Sequence, residues 1–283
     1  KNSIVRVLGC VFNAPPLTQT VRRLLLMAKF TLHNGDCLPF LRSLESGSVS
    51  AIITDPPYGI KIGGNGKIGG NGKITEVKKY APVKWDDVGL TLEQFQEIKR
   101  VSNNQAIFGF EHLADVLGKA NSVIVWDKKT RNNWDDNFSD CEIAWSNVEM
   151  PTKIIRHLWM GALRVEKGER VHPTQKPIAV MKYIIERITS PGDVILDPFM
   201  GSGSTGVACM ELGREFIGVE INKEYFEIAS KRISGAAQQE VLFTETRLTQ
   251  PAPDVGDSPA QQALFTPEAG SAAGKLSAPT PRR

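Results

Sequence analysis

Two short stretches of the chain combine residue types and spacing that are suited to chemistry. TDPPYGI (54–60) follows the apolar run SVSAII, and DPFMGSGSTG (197–206) follows the apolar run VIL. Two consecutive prolines exclude a helix interior or a central strand, so DPPY must form a stiff corner after a buried strand. A carboxylate, rigid carbonyl groups and an aromatic ring are then held together at the end of that strand, where open α/β sheets bind ligands.

The second stretch predicts a nucleoside site that does not grip phosphate. Gly201, Gly203 and Gly206 have GxGxxG spacing, which lets the backbone approach a ligand closely, but no GK[ST] follows. Asp197 at the strand tip would repel a pyrophosphate and suits a cationic ligand. Glu220 ends the next predicted strand, where such folds place a carboxylate on the ribose hydroxyls. A ribose site beside a site for a cation indicates S-adenosyl-L-methionine as the ligand.

Alternating strands and helices are predicted to position both stretches. Apolar, β-branched runs predict strands at 29–33, 48–54, 104–110, 121–127, 141–147, 193–199 and 215–221. Segments with helical spacing lie at 38–44, 90–102, 176–189, 204–213 and 223–234. Strands separated by helices indicate an α/β fold whose sheet is mostly parallel.

These motifs resemble those of the amino-methylating DNA methyltransferases, which modify N6 of adenine or N4 of cytosine. DPPY precedes the glycine motif, and HPTQKP (172–177) leads into the helix before it. This order is that of the circularly permuted β-class, and the likeness covers about 29–234. The resemblance implies a Rossmann-like class I SAM-dependent methyltransferase fold, with a mostly parallel, seven-stranded and circularly permuted sheet and a small recognition insert at about 148–171.

The resemblance also implies a role for each motif residue. The Asp55 carboxylate and the Pro56 carbonyl would accept hydrogen bonds from the target amine and free its lone pair. Pro57 would keep the corner rigid, and Tyr58 would stack on a base flipped out of the duplex. The expected cofactor-binding residues are Asp36, Lys176, Asp197, Pro198, Phe199, Gly201, Gly203, Ser204, Thr205 and Glu220.

The first letter of DPPY favours one target base. An acid at this position fits adenine, whereas cytosine-N4 enzymes of the family more often carry Ser. The predicted function is therefore methyl transfer from S-adenosyl-L-methionine to N6 of adenine in double-stranded DNA. Two alternatives stay open: a cytosine-N4 or RNA methyltransferase, and a non-catalytic DNA-binding module on the same scaffold. The tandem repeat KIGGNG (61–72) favours the module weakly, since it could displace the target base.

The distribution of charge predicts local contacts with DNA. The net charge is +3, yet residues 27–234 are neutral, so positive charge must be concentrated in places. Residues 59–84 hold six lysines and one acid, and residues 151–176 hold six bases and two acids. We expect phosphate and base-edge contacts from Lys61, Lys67, Lys73, Arg156 and Arg164.

The two ends of the chain differ in composition from its middle. Residues 1–26 are predicted to lie outside the methyltransferase domain (27–234), and residues 235–283, rich in Ala, Pro, Ser, Gly and Gln, are predicted to be a disordered tail. Within the tail, QEVLF (239–243) and QQALF (261–265) resemble peptides by which bacterial replication proteins dock on the sliding clamp. The sliding clamp is therefore a candidate partner.

The remaining composition indicates an ordinary cytoplasmic enzyme. Four widely spaced cysteines form no CxxC pair, so neither a metal site nor a disulfide framework is expected. The apolar runs are too short to span a membrane. Together with the family resemblance, these features lead us to expect a bacterial or phage-encoded, nucleoid-associated protein that is a monomer or a homodimer.

Overall fold

Strands and helices alternate along the chain in the computed structural model, which describes residues 4–6, 30–60, 86–130, 139–160, 163–166, 171–172 and 174–249. The strands are β1 (Ile4–Arg6), β2 (Phe30–Asn34), β3 (Val49–Thr54), β4 (Ser102–Phe108), β5 (Ser122–Asp127), β6 (Cys141–Ser146), β7 (Lys153–Arg156), β8 (Trp159–Met160), β9 (Leu163–Arg164), β10 (Val194–Asp197) and β11 (Glu215–Glu220). The helices are α1 (Cys37–Ser43), α2 (Leu92–Val101), α3 (Phe110–Leu117), α4 (Ile178–Ile188), α5 (Ser204–Glu211) and α6 (Lys223–Thr249).

A mostly parallel sheet forms the middle layer, in the order β1-β2-β11-β10-β3-β4-β6-β5-β7. Five neighbouring pairs are parallel and three are antiparallel, the latter involving β1 and β6. β3 and β10 are neighbours in the sheet although more than a hundred residues separate them in sequence. DPPY after β3 and the glycine motif after β10 therefore meet at one edge of the sheet, with DPPY first in the chain, as the permuted order predicts.

Helices cover both faces of this sheet and enclose two apolar cores. On one face, α4, α5 and α6 pack on the sheet through residues such as Ile184, Ala208 and Ile233, none of which is exposed. On the other face, α1, α2 and α3 bury Leu41, Ile98 and their neighbours. This three-layer arrangement confirms the predicted α/β class.

The sheet has more strands than the seven predicted. Seven strands, β2 to β6 with β10 and β11, correspond to the predicted runs, and the short strands β1 and β7 extend the sheet at its two edges. β1 pairs with β2 although residues 1–26 were predicted to lie outside the domain. The predicted strand 104–110 ends at Phe108, because Gly109 adopts the left-handed conformation with φ of 80° and begins helix α3, which was not predicted.

The last helix is longer than the sequence predicted. The tail was expected to begin at residue 235, but α6 continues to Thr249. Ala236 is buried in the core beside α5, and alanine is the best helix former, so the segment GAAQQ extends the helix. The prediction of disorder is wrong for 235–249, and residues 250–283 lie outside the described part of the chain.

The predicted recognition insert contains β7 and the small hairpin of β8 and β9. Glu166 ties the insert to the core, since its carboxylate accepts hydrogen bonds from the backbone N–H groups of Ile178 and Ala179 at the start of α4. Pro177, which precedes this helix, makes no side-chain cap of its own.

The described residues include neither a membrane-spanning helix nor a cluster of side chains suited to a metal ion. No helix there has the length and hydrophobicity needed to cross a membrane. In the same residues, no group of three or more His, Cys, Asp or Glu side chains is placed to hold a metal ion.

Candidate active site

A cleft of about 370 Å³ opens at the carboxyl ends of β3, β10 and β11. Parallel strands bring their carboxyl ends to the same edge, which is why motifs distant in sequence meet there. Eleven of the fourteen predicted catalytic and cofactor-binding residues line the cleft: Asp36, Asp55, Pro57, Lys176, Asp197, Pro198, Phe199, Gly201, Ser204, Thr205 and Glu220.

The other three predicted residues lie outside the cleft lining. Pro56 and Tyr58 belong to the DPPY corner, on either side of Pro57, which does line the cleft. Gly203 serves helix packing, because a Cβ there would lie 3.0 Å from the Ala229 Cβ and the Ile233 Cδ1 of α6. The predicted contact of Gly203 with the cofactor stays a prediction.

A buried acid that the sequence did not single out fixes the DPPY corner. Asp86 is 2% exposed, and its Oδ1 accepts hydrogen bonds from the backbone N–H groups of Tyr58 at 2.8 Å and Gly59 at 3.0 Å. The Leu90 N–H donates to the Pro57 carbonyl at 3.1 Å. The described residues on either side of segment 61–85, which lies outside the described part of the chain, thus meet beside the corner.

The Tyr58 ring is placed by a glycine and a histidine. It stacks on the His112 ring with 5.3 Å between centroids and 29° between planes. A Cβ on Gly109 would lie only 2.1 Å from Tyr58 Cε1, so glycine is needed there for space as well as for its positive φ. The Tyr58 hydroxyl donates a hydrogen bond to Asp55 Oδ1.

Four charged side chains of alternating sign extend from the DPPY corner, and we call them the charge chain: Asp55, Lys176, Glu142 and Lys128. Lys176 Nζ lies 2.5 Å from Asp55 Oδ2 and 3.0 Å from Glu142 Oε2. Lys128 Nζ lies 3.2 Å from Glu142 Oε1. Lys176, predicted to contact the cofactor, lines the cleft but directs its ammonium to these two carboxylates and lies over the Phe108 ring at 5.0 Å.

Burial and charge act against each other in the charge chain. Burial raises the pKa of Asp55, although the Lys176 ammonium opposes that rise. Burial would also raise the pKa of Glu142, but Lys176 and Lys128 together hold it below its usual value. The two carboxylates outweigh the burial of Lys176 and raise its pKa to about 12. The two carboxylates therefore favour the protonated form of Lys176.

Asp197 is held by hydroxyl and backbone donors. It is 3% exposed and accepts hydrogen bonds from the hydroxyls of Thr54 and Thr205, both at 2.6 Å, and from the Phe199 N–H at 3.1 Å. Burial raises its pKa to about 6 despite these donors. Asp197 thus joins β3, the glycine turn and the start of α5 at the base of the cleft.

Glu220 and Asp36 support loops at the cleft edge. Glu220 accepts hydrogen bonds from the backbone N–H groups of Gly201 at 2.9 Å and Asn222 at 2.7 Å, and burial raises its pKa to about 7. Asp36 caps α1 by accepting from the Leu38 N–H at 2.9 Å. Each carboxylate lines the cleft and retains lone pairs for a ligand.

The cleft suits the S-adenosyl-L-methionine predicted from the sequence. Ser204 Oγ is buried without a hydrogen-bond partner among the described atoms, and it lines the cleft at the N-terminus of α5. A hydroxyl and a helix N-terminus together favour a carboxylate such as that of the methionine part. Glu220 would accept hydrogen bonds from the ribose hydroxyls, and Asp197 would supply negative charge for the ammonium.

The predicted DNA contacts fall partly outside the described chain. Lys61, Lys67 and Lys73 lie outside the described residues. Arg156 ends β7 with its side chain 65% exposed, and its Nε lies 3.7 Å from Asp127 Oδ2. Arg164, on β9, lies over the Trp159 ring at 5.6 Å. These two arginines share the recognition insert but not the cleft.

Sequence reasoning missed several residues at the site: Asp86, Gly109, Lys128, Glu142, His172 and Tyr225. His172 and Tyr225 line the cleft, with their rings edge to face at 4.2 Å between centroids. His172 could have been found, since it begins the HPTQKP motif. One feature of the sequence pointed to Glu142: it is an acid inside the apolar run CEIAW, and a buried acid needs a partner.

Comparison with protein families and characterised relatives points to one kind of enzyme. The profile of the N6_N4_Mtase family, described as DNA methylase, matches residues 115–231. The chain is 31% identical over 249 residues to the type II methyltransferase M2.DpnII of Streptococcus pneumoniae, a match that covers 72% of this chain and 90% of that protein. It is 47% identical over 87 residues to the type II methyltransferase M2.LlaDCHI of Lactococcus lactis subsp. cremoris, covering 30% of this chain and 32% of that protein.

Two solved structures match most of this chain at lower sequence identity. The M1.HpyAVI–SAM complex is 28% identical, with a TM-score of 0.48, over 72% of this chain and 99% of that one. The cytosine-N4-specific PvuII DNA methyltransferase is 15% identical, with a TM-score of 0.47, over 75% of this chain and 93% of that one.

Proposed function

The chain belongs to the N6/N4 DNA methylase family, and we propose that it transfers a methyl group to N6 of adenine in double-stranded DNA. S-adenosyl-L-methionine is the cofactor of this family and, when bound, supplies the methyl group. The proposal adds the target base, the flipped-out state of that base and the roles of the cleft residues.

One observation carries the proposal: the Asp55 carboxylate lines the same cleft as Asp197, Ser204 and Glu220. An exocyclic amine conjugated to a purine is a poor nucleophile, because its lone pair is delocalised into the ring. A hydrogen bond from the amine to a carboxylate is about twice as strong as one to a neutral acceptor, and it returns electron density to nitrogen. Asp55 has oxygen lone pairs for this bond besides those used by Tyr58 and Lys176.

The other corner residues hold and orient the base. The Pro56 carbonyl is the second acceptor for the amine, and Pro57 limits the motion of both. Tyr58 presents an aromatic ring for stacking, which is worth about 1–3 kcal/mol per base. Asp86 and Gly109 keep the corner and the ring in place before the substrate arrives, so little reorganisation remains at reaction.

The target base is tested by product analysis. Unmethylated bacterial duplex DNA is incubated with the protein and labelled S-adenosyl-L-methionine, and the nucleosides are resolved by mass spectrometry. We expect N6-methyladenine, and none from the Asp55→Ala protein. N4-methylcytosine instead would keep the chemistry and correct the base. Absence of any methylated nucleoside, together with tight DNA binding, would favour the non-catalytic module.

The recognition insert is proposed to read the DNA sequence. Arg156 is exposed, and Arg164 pairs with the Trp159 ring in the hairpin of β8 and β9. Arginine and aromatic side chains together suit phosphates, base edges and stacking. Exchange of residues 151–170 should change the methylated sequence while turnover is kept. Unchanged selectivity after the exchange would contradict this role.

Docking on the sliding clamp is proposed for the two QxxLF peptides. QEVLF lies within the backbone of helix α6, whereas QQALF lies outside the described residues. The Leu264→Ala and Leu242→Ala proteins separate the two peptides in a clamp-binding titration. Loss of binding in Leu264→Ala alone would assign docking to QQALF, and binding that survives both substitutions together would contradict docking.

A further inference from the structure

The charge chain contains an acid that does not reach the cleft. Glu142 lies on β6, opposite Trp126 of β5, and contributes nothing to the cleft lining. Its side chain is 22% exposed and lies between two ammonium groups, those of Lys176 and Lys128. A carboxylate in this position needs a reason, because burying charge costs free energy even when the charges are paired.

The contacts of Lys176 show what Glu142 does first. Lys176 is 8% exposed, and its ammonium is held between Asp55 and Glu142 above the Phe108 ring. Without Glu142, Asp55 would be the one remaining anionic neighbour of the ammonium among the described residues. Glu142 therefore fixes where the Lys176 charge lies relative to the Asp55 oxygen that faces it.

The net charge of the four residues gives the second reason. Asp55 and Glu142 supply two negative charges, and Lys176 and Lys128 supply two positive charges, so the chain is neutral. In the transfer, the lone pair of the amine nitrogen forms a bond to the methyl carbon, and the carbon–sulfur bond breaks with its electron pair going to sulfur. The nitrogen carries positive charge beside Asp55 until its proton leaves through Asp55 to solvent.

We propose that Glu142 is a positioning residue for methyl transfer: it holds Lys176 against Asp55 and keeps the charge chain neutral while the target nitrogen becomes positive. The proposal rests on the proposed function for the chemistry at Asp55 but not on the identity of the base. If Glu142 were uncharged, the charge chain would carry a net positive charge. It would then oppose the positive charge that develops on the target nitrogen.

A comparison of the unsubstituted protein with three variants separates the effect of charge balance from that of structural support. Glu142→Gln should lower kcat about tenfold to a hundredfold, as expected for loss of electrostatic support at a reacting centre. The affinity for S-adenosyl-L-methionine should stay unchanged. The double variant Lys128→Met/Glu142→Gln restores neutrality and should recover about tenfold in kcat. Lys128→Met alone leaves the chain negative and should raise kcat about threefold.

A matched control removes a similar ion pair elsewhere. Glu97 in α2 has a side chain that is 21% exposed and lies 2.7 Å from Arg100, away from the cleft lining. Glu97→Gln should keep kcat within about twofold of the unsubstituted protein, because screening and distance remove its effect on the site.

The experiment is steady-state methyl transfer on duplex DNA, which gives kcat, with cofactor affinity measured by calorimetry and folding by thermal unfolding. Recovery in the double variant supports the proposal. A double variant as slow as Glu142→Gln, or a fall in kcat with Lys128→Met alone, overturns it, and the second result stands even if Glu142→Gln does not fold. An unsubstituted protein that makes no methylated base would instead refute the proposed function.

Discussion

Asp55 and Asp197 follow two neighbouring parallel strands, and each precedes a proline, yet their surroundings differ. The register pairs Ala51 with Ile195, so Asp197 lies level with Ile53, and Asp55 lies two residues further out. Two residues of strand span about 7 Å. Asp55 therefore reaches a lysine and the open cleft, whereas Asp197 stays among the hydroxyls of Thr54 and Thr205.

We propose from this difference that depth along the strand assigns the role of each acid. A carboxylate at the rim, balanced by Lys176, can exchange partners with a substrate amine. A carboxylate at the base, satisfied by hydroxyls, can organise the glycine turn that we propose receives the cofactor. On this proposal, the same dipeptide Asp-Pro serves chemistry after β3 and architecture after β10.

The largest effect is expected at the rim. Asp55→Asn keeps the size of the side chain but removes its charge, so kcat should fall about a hundredfold or more. The fold should persist, since the Tyr58 hydroxyl can still donate to the amide oxygen. Steady-state methyl transfer to duplex DNA measures this fall in kcat, with the exposed Asp115→Asn protein as a control for loss of one negative charge. Activity near that of the unsubstituted protein would remove Asp55 from the chemistry.

The support of the rim gives the next largest effect. Gly109→Ala must move the Tyr58 ring, since the new Cβ would lie 2.1 Å from its Cε1. We expect a drop in kcat of about tenfold and a loss of about 1–2 kcal/mol of stability from the positive φ. Gly213→Ala is the control, because its φ is +66° and its Cβ would meet no atom within 4 Å. Equal kcat in the two variants would show that ring placement does not matter.

At the base, a single hydroxyl should change stability more than chemistry. Thr205→Val removes the donor to Asp197 Oδ2 and leaves a buried carboxylate oxygen unpaired, which costs about 1–3 kcal/mol. Thr205→Ser keeps the hydroxyl and loses only a methyl group, about 1 kcal/mol. Urea unfolding of both variants distinguishes these costs. Equal midpoints would indicate that the hydroxyl bond does not hold the turn.

The smallest effect concerns pH and the stability of the ligand-free protein. The pKa of Glu220 is raised from 4.5 to about 7, so between these values the folded protein holds a proton that the unfolded chain has released. Stability from this group is present at low pH and is lost as the pH rises through about 7. In the Glu220→Gln protein, the free energy of unfolding should fall less with pH, by on the order of 1 kcal/mol between pH 5 and pH 8. Urea unfolding at a series of pH values measures this difference. An unchanged slope would contradict the raised pKa.

The sequence was sufficient for the motifs but not for their partners. The strands before DPPY and DPFMGSGS could be predicted because buried β-branched runs and glycine turns are local signals. Glu142 and Asp86 could not be assigned to the site, because their contacts depend on the antiparallel register of β6 and on a return of the chain after DPPY. Helix α3 was missed for a local reason. Phe110 continues the apolar run of the preceding strand, and the sequence does not show that Gly109 adopts a positive φ and ends that strand.

Cofactor affinity tests the central claim most directly. The dissociation constant of S-adenosyl-L-methionine is measured by calorimetry for Asp55→Asn and Asp197→Asn, in preparations whose thermal unfolding shows that both are folded. Asp55→Asn should bind within about twofold of the unsubstituted protein, and Asp197→Asn should bind at least about tenfold more weakly, the equivalent of 1.4 kcal/mol. Equal affinities in the two variants, or a greater loss in Asp55→Asn, would contradict the division of roles between the rim and the base of the cleft.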